Sequence, residues 1–485
     1  MTQRTIAAAA AVVVFASIVT IAPREAPVAT AAADATLAAR RPNVVIVLTD
    51  DQRWDQLGMM PTVRKQLRAN GRTFRNAFAV DPLCCPSRVS LLRGQYPHTT
   101  RIYRISGPLG GAKAFRTNGG EATTIATMLD DAGYRTAMVG KYLNGYGESD
   151  FGHVPSGWDV WRAFSTTGSV PYFDYRMSVD GSTVSFGDSP RDYATDVLAR
   201  QAAGFVRSTP KGTPLFLLLS TGAPHAPSTP APRHAGSGRC DARRPPPSFG
   251  EPRIGDKPRY VASRGWNPTL AARARRQWID SCRALLAVDD AVRKVLRALQ
   301  DTGRMRSTLT VFTSDNGALY GEHRLFGKKV PYEESIRVPM IVRYDPLTRG
   351  RRVSDGRLVI NTGVTATALD AAGVEPPYRL EARSLLPALS GRARPRRTAI
   401  LVEHYDPPGA NGYVPTYCAV RTRRHAYVRY DADADPVNEE LYDVRRDPYQ
   451  LRNLMRTRPV PRRLRNDLLD RLRDLCSPVP PGFGY

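Results

Sequence analysis

Hydrophobic positions along the chain fall into short runs that break off sharply at acidic, amide or imidazole side chains. Asn43-Val44-Val45-Ile46-Val47-Leu48 is continuous and β-branched, the pattern of a strand buried on both faces, and it stops at Thr49-Asp50-Asp51. Leu215 to Ser220 is a second such run and leads into Ala223-Pro224-His225-Ala226-Pro227. Leu309 to Thr313 is a third and stops at Ser314-Asp315-Asn316-Gly317. Arg135 to Val139 reads as a strand ahead of Gly140-Lys141-Tyr142-Leu143-Asn144, and Phe74 to Val80 and Val338 to Val342 add two more. Helical patterns separate them: Pro61 to Asn70, a helix opening at Pro86-Ser87, and Thr123 to Ala132 stopped by Gly133. A longer helix puts Leu285, Leu286, Val288, Val292, Val295, Leu296 and Leu299 on one face. Strands alternating with helices predict an α/β fold, a large mixed, mostly parallel sheet flanked by helices.

Beyond about residue 390 the pattern changes. Short strand signals at Ile400–Glu403, Tyr417–Arg421 and His425–Tyr430 predict a small antiparallel sheet. Leu464, Leu468, Leu469, Leu472 and Leu475 mark one face of a terminal helix. The expected organisation is a main α/β domain over residues 41–390 and a smaller C-terminal α+β subdomain over 391–485. From about Pro227 to Arg259 the chain turns to Pro, Arg, Ser and Gly, a loop well beyond the ~12–15 residues usual for a structureless connection.

Arg4, the apolar stretch Ile6 to Ile21 and the small residues at Ala29-Thr30-Ala31 read as a signal peptide over 1–31, followed by an Ala-rich linker over 32–40. The apolar stretch falls short of the roughly 20 residues of a membrane span, and no later segment is apolar enough to be one. The protein is therefore expected to be exported, to the medium or the cell envelope. In an oxidising compartment Cys240–Cys282 and Cys418–Cys476 are the natural disulfide candidates among six cysteines. Adjacent cysteines rarely pair, because a disulfide wants its Cα atoms ~5.5 Å apart, so Cys84-Cys85 stands outside that scheme. The formal net charge of +25 would suit nucleic acid, anionic membranes or acidic polysaccharides. Its arginines are scattered with no nucleic-acid-binding motif, which argues against a nucleic-acid partner and leaves anionic substrates compatible.

Ligands of parallel sheets bind beyond the carboxyl ends of strands, where Asp50-Asp51, Asp315-Asn316, Lys141, Asn144 and His225 all fall. Asp50-Asp51 alone reads equally well as a helix cap or as half of a cation site. With Asp315-Asn316 it offers four oxygen-bearing side chains, hard ligands suited to Ca²⁺ or Mg²⁺. His225 is a candidate acid or ligand. Cys84-Cys85-Pro86-Ser87-Arg88 precedes an apolar run and would place Cys84 and Arg88 at a helix N-terminus, where an anion is favoured.

Six ordered stretches together resemble the sulfatases of the alkaline phosphatase superfamily. They are Asn43 to Asp51, Cys84 to Gly94 in the form Cys-x-Pro-Ser-Arg, Gly140 to Gly145, Pro224-His225, Ser314 to Gly317, and Gly327-Lys328 with Tyr332-Glu333. Glu440 to Asp443, Asp447-Pro448 and Asn453-Leu454 are similar to that family's C-terminal segment. The resemblance implies that a formylglycine-generating enzyme oxidises Cys84 to formylglycine. One hydroxyl of its hydrate would attack sulfur, and the other would help expel sulfate. It further implies Asp50, Asp51, Asp315 and Asn316 as Ca²⁺ ligands with the modified Cys84 beside the metal. Arg88 would stabilise the diol, Lys141 and Lys328 would bind sulfate oxygens, and His225 would assist the leaving group. Many arylsulfatases carry His two residues after the lysine, where this chain has Leu143 and then Asn144. Cys-Cys-Pro-Ser-Arg and Gly-Lys-Tyr-Leu-Asn are more similar to the N-acetylglucosamine-6-sulfatase branch, which implies a sulfated, glycosaminoglycan-like sugar as substrate and Asn144 among its contacts. Two rival readings stand beside it: a phosphodiester or phosphonate monoester hydrolase of the same architecture, and an inactive secreted polyanion-binding protein.

Overall fold

A computed structural model of the protein describes residues 41–484 apart from 149, 169, 242–243, 392–396, 411 and 432–437. The expected signal peptide and linker lie outside the described residues. Strands β1 (Asn43–Thr49), β2 (Arg72–Phe78), β3 (Arg135–Gly140), β4 (Val160–Phe164), β5 (Tyr175–Val179) and β6 (Ser182–Phe186) come first. Then follow β7 (Leu215–Ser220), β8 (Thr308–Ser314), the two-residue strands β9 (Leu319–Tyr320) and β10 (Phe326–Gly327), β11 (Met340–Arg343) and β12 (Val353–Ile360). All but β9 and β10 form one ten-stranded sheet in the order β12-β2-β11-β8-β1-β7-β3-β4-β5-β6. Its centre, from β8 to β4, is parallel; β11, β5 and β6 run antiparallel to their neighbours. This is the expected mixed α/β architecture.

β1 lies in the middle of that sheet and is fully buried. Val44, Ile46 and Leu48 face a core built with helices α1 (Cys84–Arg93), α2 (Ile125–Asp131) and α5 (Gly363–Ala372). Val45 and Val47 face the opposite core, under α3 (Ala194–Ser208) and α4 (Pro268–Asp301). A β-branched run fits that environment because both pleat faces pack on helices. The helix around Leu285 starts earlier than its apolar stripe: Pro268 occupies its first turn and the Asn267 side chain caps the Leu270 amide at 2.9 Å. The edge strands β4 to β6 and helix α3 have no counterpart in the sequence reading. β6 is solvent-exposed and lacks an apolar run, and the stripe of α3 (Val197, Leu198, Phe205, Val206) is diluted by alanines.

The second sheet is antiparallel in chain order: β13 (Ala399–His404), β14 (Tyr417–Thr422), β15 (His425–Tyr430) and a fourth strand not foreseen, β16 (Glu439–Asp443). Helix α6 (Arg462–Leu475) covers it through Leu468 and Leu472. The apolar side of this sheet shares its core with Phe78, Leu358 and Ile360 at the edge of the main sheet, so the two sheets are packed as one body there. No helix among the described residues is long and apolar enough to cross a membrane.

Both expected disulfides form, Cys240–Cys282 and Cys418–Cys476, while Cys84 and Cys85 are free and buried. Cys240–Cys282 ties the Pro-rich loop to α4 across a sequence separation of 42, which in the chain-entropy treatment contributes about 4 kcal/mol. A Cys240→Ser/Cys282→Ser double variant is expected to melt well below the wild type in non-reducing calorimetry. An unchanged melting temperature would show that the loop's buried Ser248, Glu251 and Lys257 hold it without the bond.

Candidate active site

The parallel ladder of β1 and β8 runs in register to Thr49 opposite Ser314, and Asp315 N still donates to Thr49 O at 3.1 Å. Asp50 and Asp315 therefore leave the sheet side by side. On the other flank Thr221 N donates to Leu48 O at 2.9 Å and Lys141 N to Ser220 O at 2.8 Å, so β7 and β3 end at the same level. Asp51 has a positive φ of 68°, a conformation unusual for a non-glycine residue and held by its neighbours. Its amide donates to Asp315 Oδ1 at 3.0 Å.

Helix α1 points its N-terminus at this rim, with Cys84 as its first residue and extended Leu83 before it. The Cys84 Sγ lies 3.4 Å from Asp50 Oδ1 and 2.7 Å from Lys328 Nζ. Lys141 Nζ donates to Asp50 Oδ2 at 2.5 Å, and Lys328 Nζ donates to Asp51 Oδ1. Arg88, one turn into α1, donates through Nε to Asp315 Oδ2 at 2.8 Å; its Nη2 is 3.9 Å from Asp50 Oδ1 and has no hydrogen-bond partner. Asn316 Nδ2 donates to Asp51 Oδ1 at 2.6 Å. His225 sits between two cis X–Pro bonds, half-buried, with Nε2 3.6 Å from Asp51 Oδ2.

Asp50, Asp51, Asp315, Arg88 and Lys141 are all at least nine-tenths buried, so these charges act in a low-dielectric setting. Burial works to raise the Asp50 carboxyl, but Lys141, His225, Arg88 and Lys328 outweigh it and hold the group well below the usual carboxylate range. Asp315 goes the other way, raised by burial and by the neighbouring Asp50. Burial, with Asp50 alongside, pushes the Cys84 thiol up to about 12, so the thiol stays protonated at neutral pH.

The donor set fits a divalent cation. Ligand atoms of Asp50, Asp51, Cys84 and His225 all lie within 4.8 Å of one another. Asn316 Oδ1 is buried without a hydrogen-bond partner, an acceptor left over beside three carboxylates. Carboxylate and amide oxygens are what Ca²⁺ and Mg²⁺ take.

A family profile described as sulfatase matches residues 42–374, and one described as N-sulphoglucosamine sulphohydrolase, C-terminal, matches 321–477. The chain belongs to the sulfatase family. It is a sulfuric ester hydrolase. The N-acetylglucosamine-6-sulfatase of Capra hircus is 32% identical over 464 residues, covering 86% of this chain and 80% of that protein. An extracellular sulfatase SULF-1 homolog of Drosophila melanogaster is 32% identical over 363 residues, covering 73% of this chain and 32% of that protein. Among solved structures, a protein in complex with its substrate D-glucosamine-2-N,6-O-disulfate superposes with a TM-score of 0.76 at 23% identity, covering 90% of this chain and 98% of that one.

In this sulfatase nine of the ten residues singled out from sequence meet at one rim: Asp50, Asp51, Cys84, Arg88, Lys141, His225, Asp315, Asn316 and Lys328. Asn144 stands apart. Its main-chain oxygen accepts from Ala112 N at 2.8 Å, and its Oδ1 is buried without a partner, so no hydrogen bond joins its side chain to the charged cluster. Ser220 and Asn361 have no site role in the sequence reading, and Ser87 enters it only as a turn residue of the Cys-x-Pro-Ser-Arg motif. Ser87 Oγ donates to Asp315 O, and Asn361 Nδ2 donates to Ser87 Oγ at 2.9 Å. Ser220 Oγ accepts from Arg88 Nη1 at 2.7 Å and donates to Lys141 O at 2.7 Å.

Gly140 sets the height of Lys141. Its φ is +123°, and a Cβ there would stand 1.8 Å from Ser220 O. Gly140→Ala is expected to shift the Lys141 turn and lower kcat by about 10²-fold, the cost of a misplacement near 1 Å. Steady-state kinetics on a sulfate ester together with thermal melting would check it; wild-type turnover would show that β3 and β7 can separate without moving Lys141.

Proposed function

We propose that this sulfatase removes the 6-sulfate from N-acetylglucosamine-type units of a glycosaminoglycan-like substrate. Cys84 serves in its formylglycine form, and Asp50, Asp51, Asp315 and Asn316 hold Ca²⁺ or Mg²⁺. The observation that carries the reading is the position of Cys84. It opens α1 in the middle of three carboxylates, three cationic side chains and His225. When present, a hydrated formylglycine supplies an oxygen nucleophile and the divalent cation supplies charge that offsets the repulsion between two anions.

The chain's own residues do the rest. Lys141, paired with Asp50, and Lys328, against Asp51 and the Cys84 Sγ, bind sulfate oxygens. The unpartnered Nη2 of Arg88 reaches toward the same position, steadied by its bonds to Asp315, Ser220 and Lys141 O. The α1 N-terminus presents free amides to the anion. His225 Nδ1–H donates to Ala226 O at 2.7 Å, so Nε2, 3.6 Å from Asp51 Oδ2, is the ring nitrogen that takes the second proton of the imidazolium and passes it to the departing sugar oxygen. Asn144, three residues after Lys141 and outside the charged cluster, serves as a contact to the sugar rather than to the sulfate. A formylglycine-generating enzyme acts on the chain during maturation, and the protein is exported.

The sugar preference rests on the N-acetylglucosamine-6-sulfatase relatives, which match most of the chain. Release of sulfate from N-acetylglucosamine 6-sulfate, against matched nitrophenyl sulfate, phosphate and phosphodiester substrates, tests it. Sulfate release from the sugar should dominate. Faster turnover of the phosphodiester would overturn the assignment.

A further inference from the structure

Away from the strand-end rim, helices α3 and α4 and the loop after His225 enclose a groove of about 420 Å³. Arg200 and Arg207 come from α3, Arg233 from the loop, and Arg293, Lys294 and Arg297 from α4. All six are exposed. Two carboxylates also line it, Asp196 and Asp290, and both are spent on Arg233: its Nη1 reaches Asp196 Oδ2 at 2.5 Å and its Nη2 reaches Asp290 Oδ2 at 2.9 Å. Asp290 also binds His234 and Arg293. Arg207 pairs with Asp301 at 3.3 Å. Among the described residues the side chains of Lys294 and Arg297 have no hydrogen-bond or ion-pair partner, and the Arg200 side chain donates to Arg191 O. The groove thus has a fixed arginine at one end and uncommitted cations along both walls.

We infer that this groove is a docking surface for a sulfated polysaccharide chain, separate from the site that cleaves the ester. The reading rests on the proposed function, in which the substrate is a sulfated polymer. Six cations against two lining acids leave a positive surplus that attracts a polyanion at long range and raises its local concentration. The seven-residue spacing from Arg200 to Arg207 is two helical turns, about 10.5 Å, so the walls offer repeated contacts to a chain carrying regularly spaced sulfates. Guanidinium groups suit sulfate oxygens because their donors bind an oxyanion in pairs. The loop bearing Arg233 continues from His225, so the groove and the cleavage site share one segment.

The test compares wild type, Arg293→Glu/Lys294→Glu/Arg297→Glu, the milder Lys294→Gln/Arg297→Gln, and a control that matches the milder variant's loss of two charges elsewhere on the surface, Arg456→Gln/Arg458→Gln. On immobilised heparin the groove variants should elute at clearly lower salt than wild type, while the control elutes close to it. For a heparin-derived oligosaccharide the groove variants should raise KM by about tenfold at low ionic strength and leave N-acetylglucosamine 6-sulfate turnover unchanged. The difference should vanish near 1 M salt, where the screening length is about 3 Å. Equal loss of heparin affinity in the control would overturn the inference, as would displacement of the oligosaccharide by duplex DNA from wild type and variants alike. If the wild type fails to hydrolyse N-acetylglucosamine 6-sulfate, the proposed substrate falls, whereas the heparin comparison still decides the groove.

Discussion

Cys84→Ala is expected to lower sulfate-ester hydrolysis by at least about 10⁴-fold while leaving the protein folded. The side chain is small and its removal opens little space. Helix α1 stays docked through Val89, Leu91 and Leu92 in the main core and through the Asn361 bond to Ser87. The substitution therefore reads chemistry rather than stability. Cys85→Ala is the internal control: Cys85 packs in the hydrophobic core, so its loss should reduce the melting temperature and spare turnover. In the wild type made by its natural host, the peptide containing Cys84 should be about 18 Da lighter than the unmodified sequence, the change from thiol to formylglycine. An unmodified thiol throughout an active preparation, or near-normal turnover by Cys84→Ala, would refute the role given to Cys84.

How much of this site was legible in the chain depends on where each residue's partner lies. Asp50-Asp51 and Asp315-Asn316 were visible because a strand buried on both faces cannot carry carboxylates within it, so they mark its end, and in a parallel sheet the ends meet. Lys141 and His225 were visible for the same reason. Ser220, Asn361 and the bonds that Ser87, itself visible as a motif residue, makes to Asp315 and Asn361 were not. The Arg88–Ser220 bond spans 132 residues and the Asn361–Ser87 bond 274, and both depend on a strand order that no local pattern encodes. Asn144 fell in a legible motif, yet its side chain turned out to be outside the charged cluster, because the chain turns after Lys141 and its main chain is taken up by Ala112. The central sheet followed from apolar runs. The exposed edge did not, since β6 has almost no buried residue to make a pattern.

Removing the divalent cation, or one of its carboxylates, is expected to be nearly as damaging as removing Cys84. Asp50, Asp51 and Asp315 carry three negative charges, and Arg88, Lys141 and Lys328 carry three positive ones, so the protein's own charges cancel at the rim. A bound divalent cation gives the site the positive surplus that an anionic substrate requires. Chelator dialysis should therefore lower kcat by about 10³-fold, the rate equivalent of about 4 kcal/mol of lost charge stabilisation, with recovery on adding Ca²⁺ or Mg²⁺. Asp50→Asn should show a similar loss that added metal cannot restore. It also strands Lys141, which is 1% exposed, without its 2.5 Å partner, and an uncompensated buried charge costs about 3–5 kcal/mol. The double variant Asp50→Asn/Lys141→Met separates the two effects. It should regain much of the lost stability and none of the activity. Binding supplies a readout independent of turnover: the metal should raise the melting temperature of the wild type by mass action and leave that of Asp50→Asn unmoved. Full activity after chelation, with no metal-dependent shift in melting, would mean that Arg88, Lys141 and Lys328 alone meet the substrate's charge.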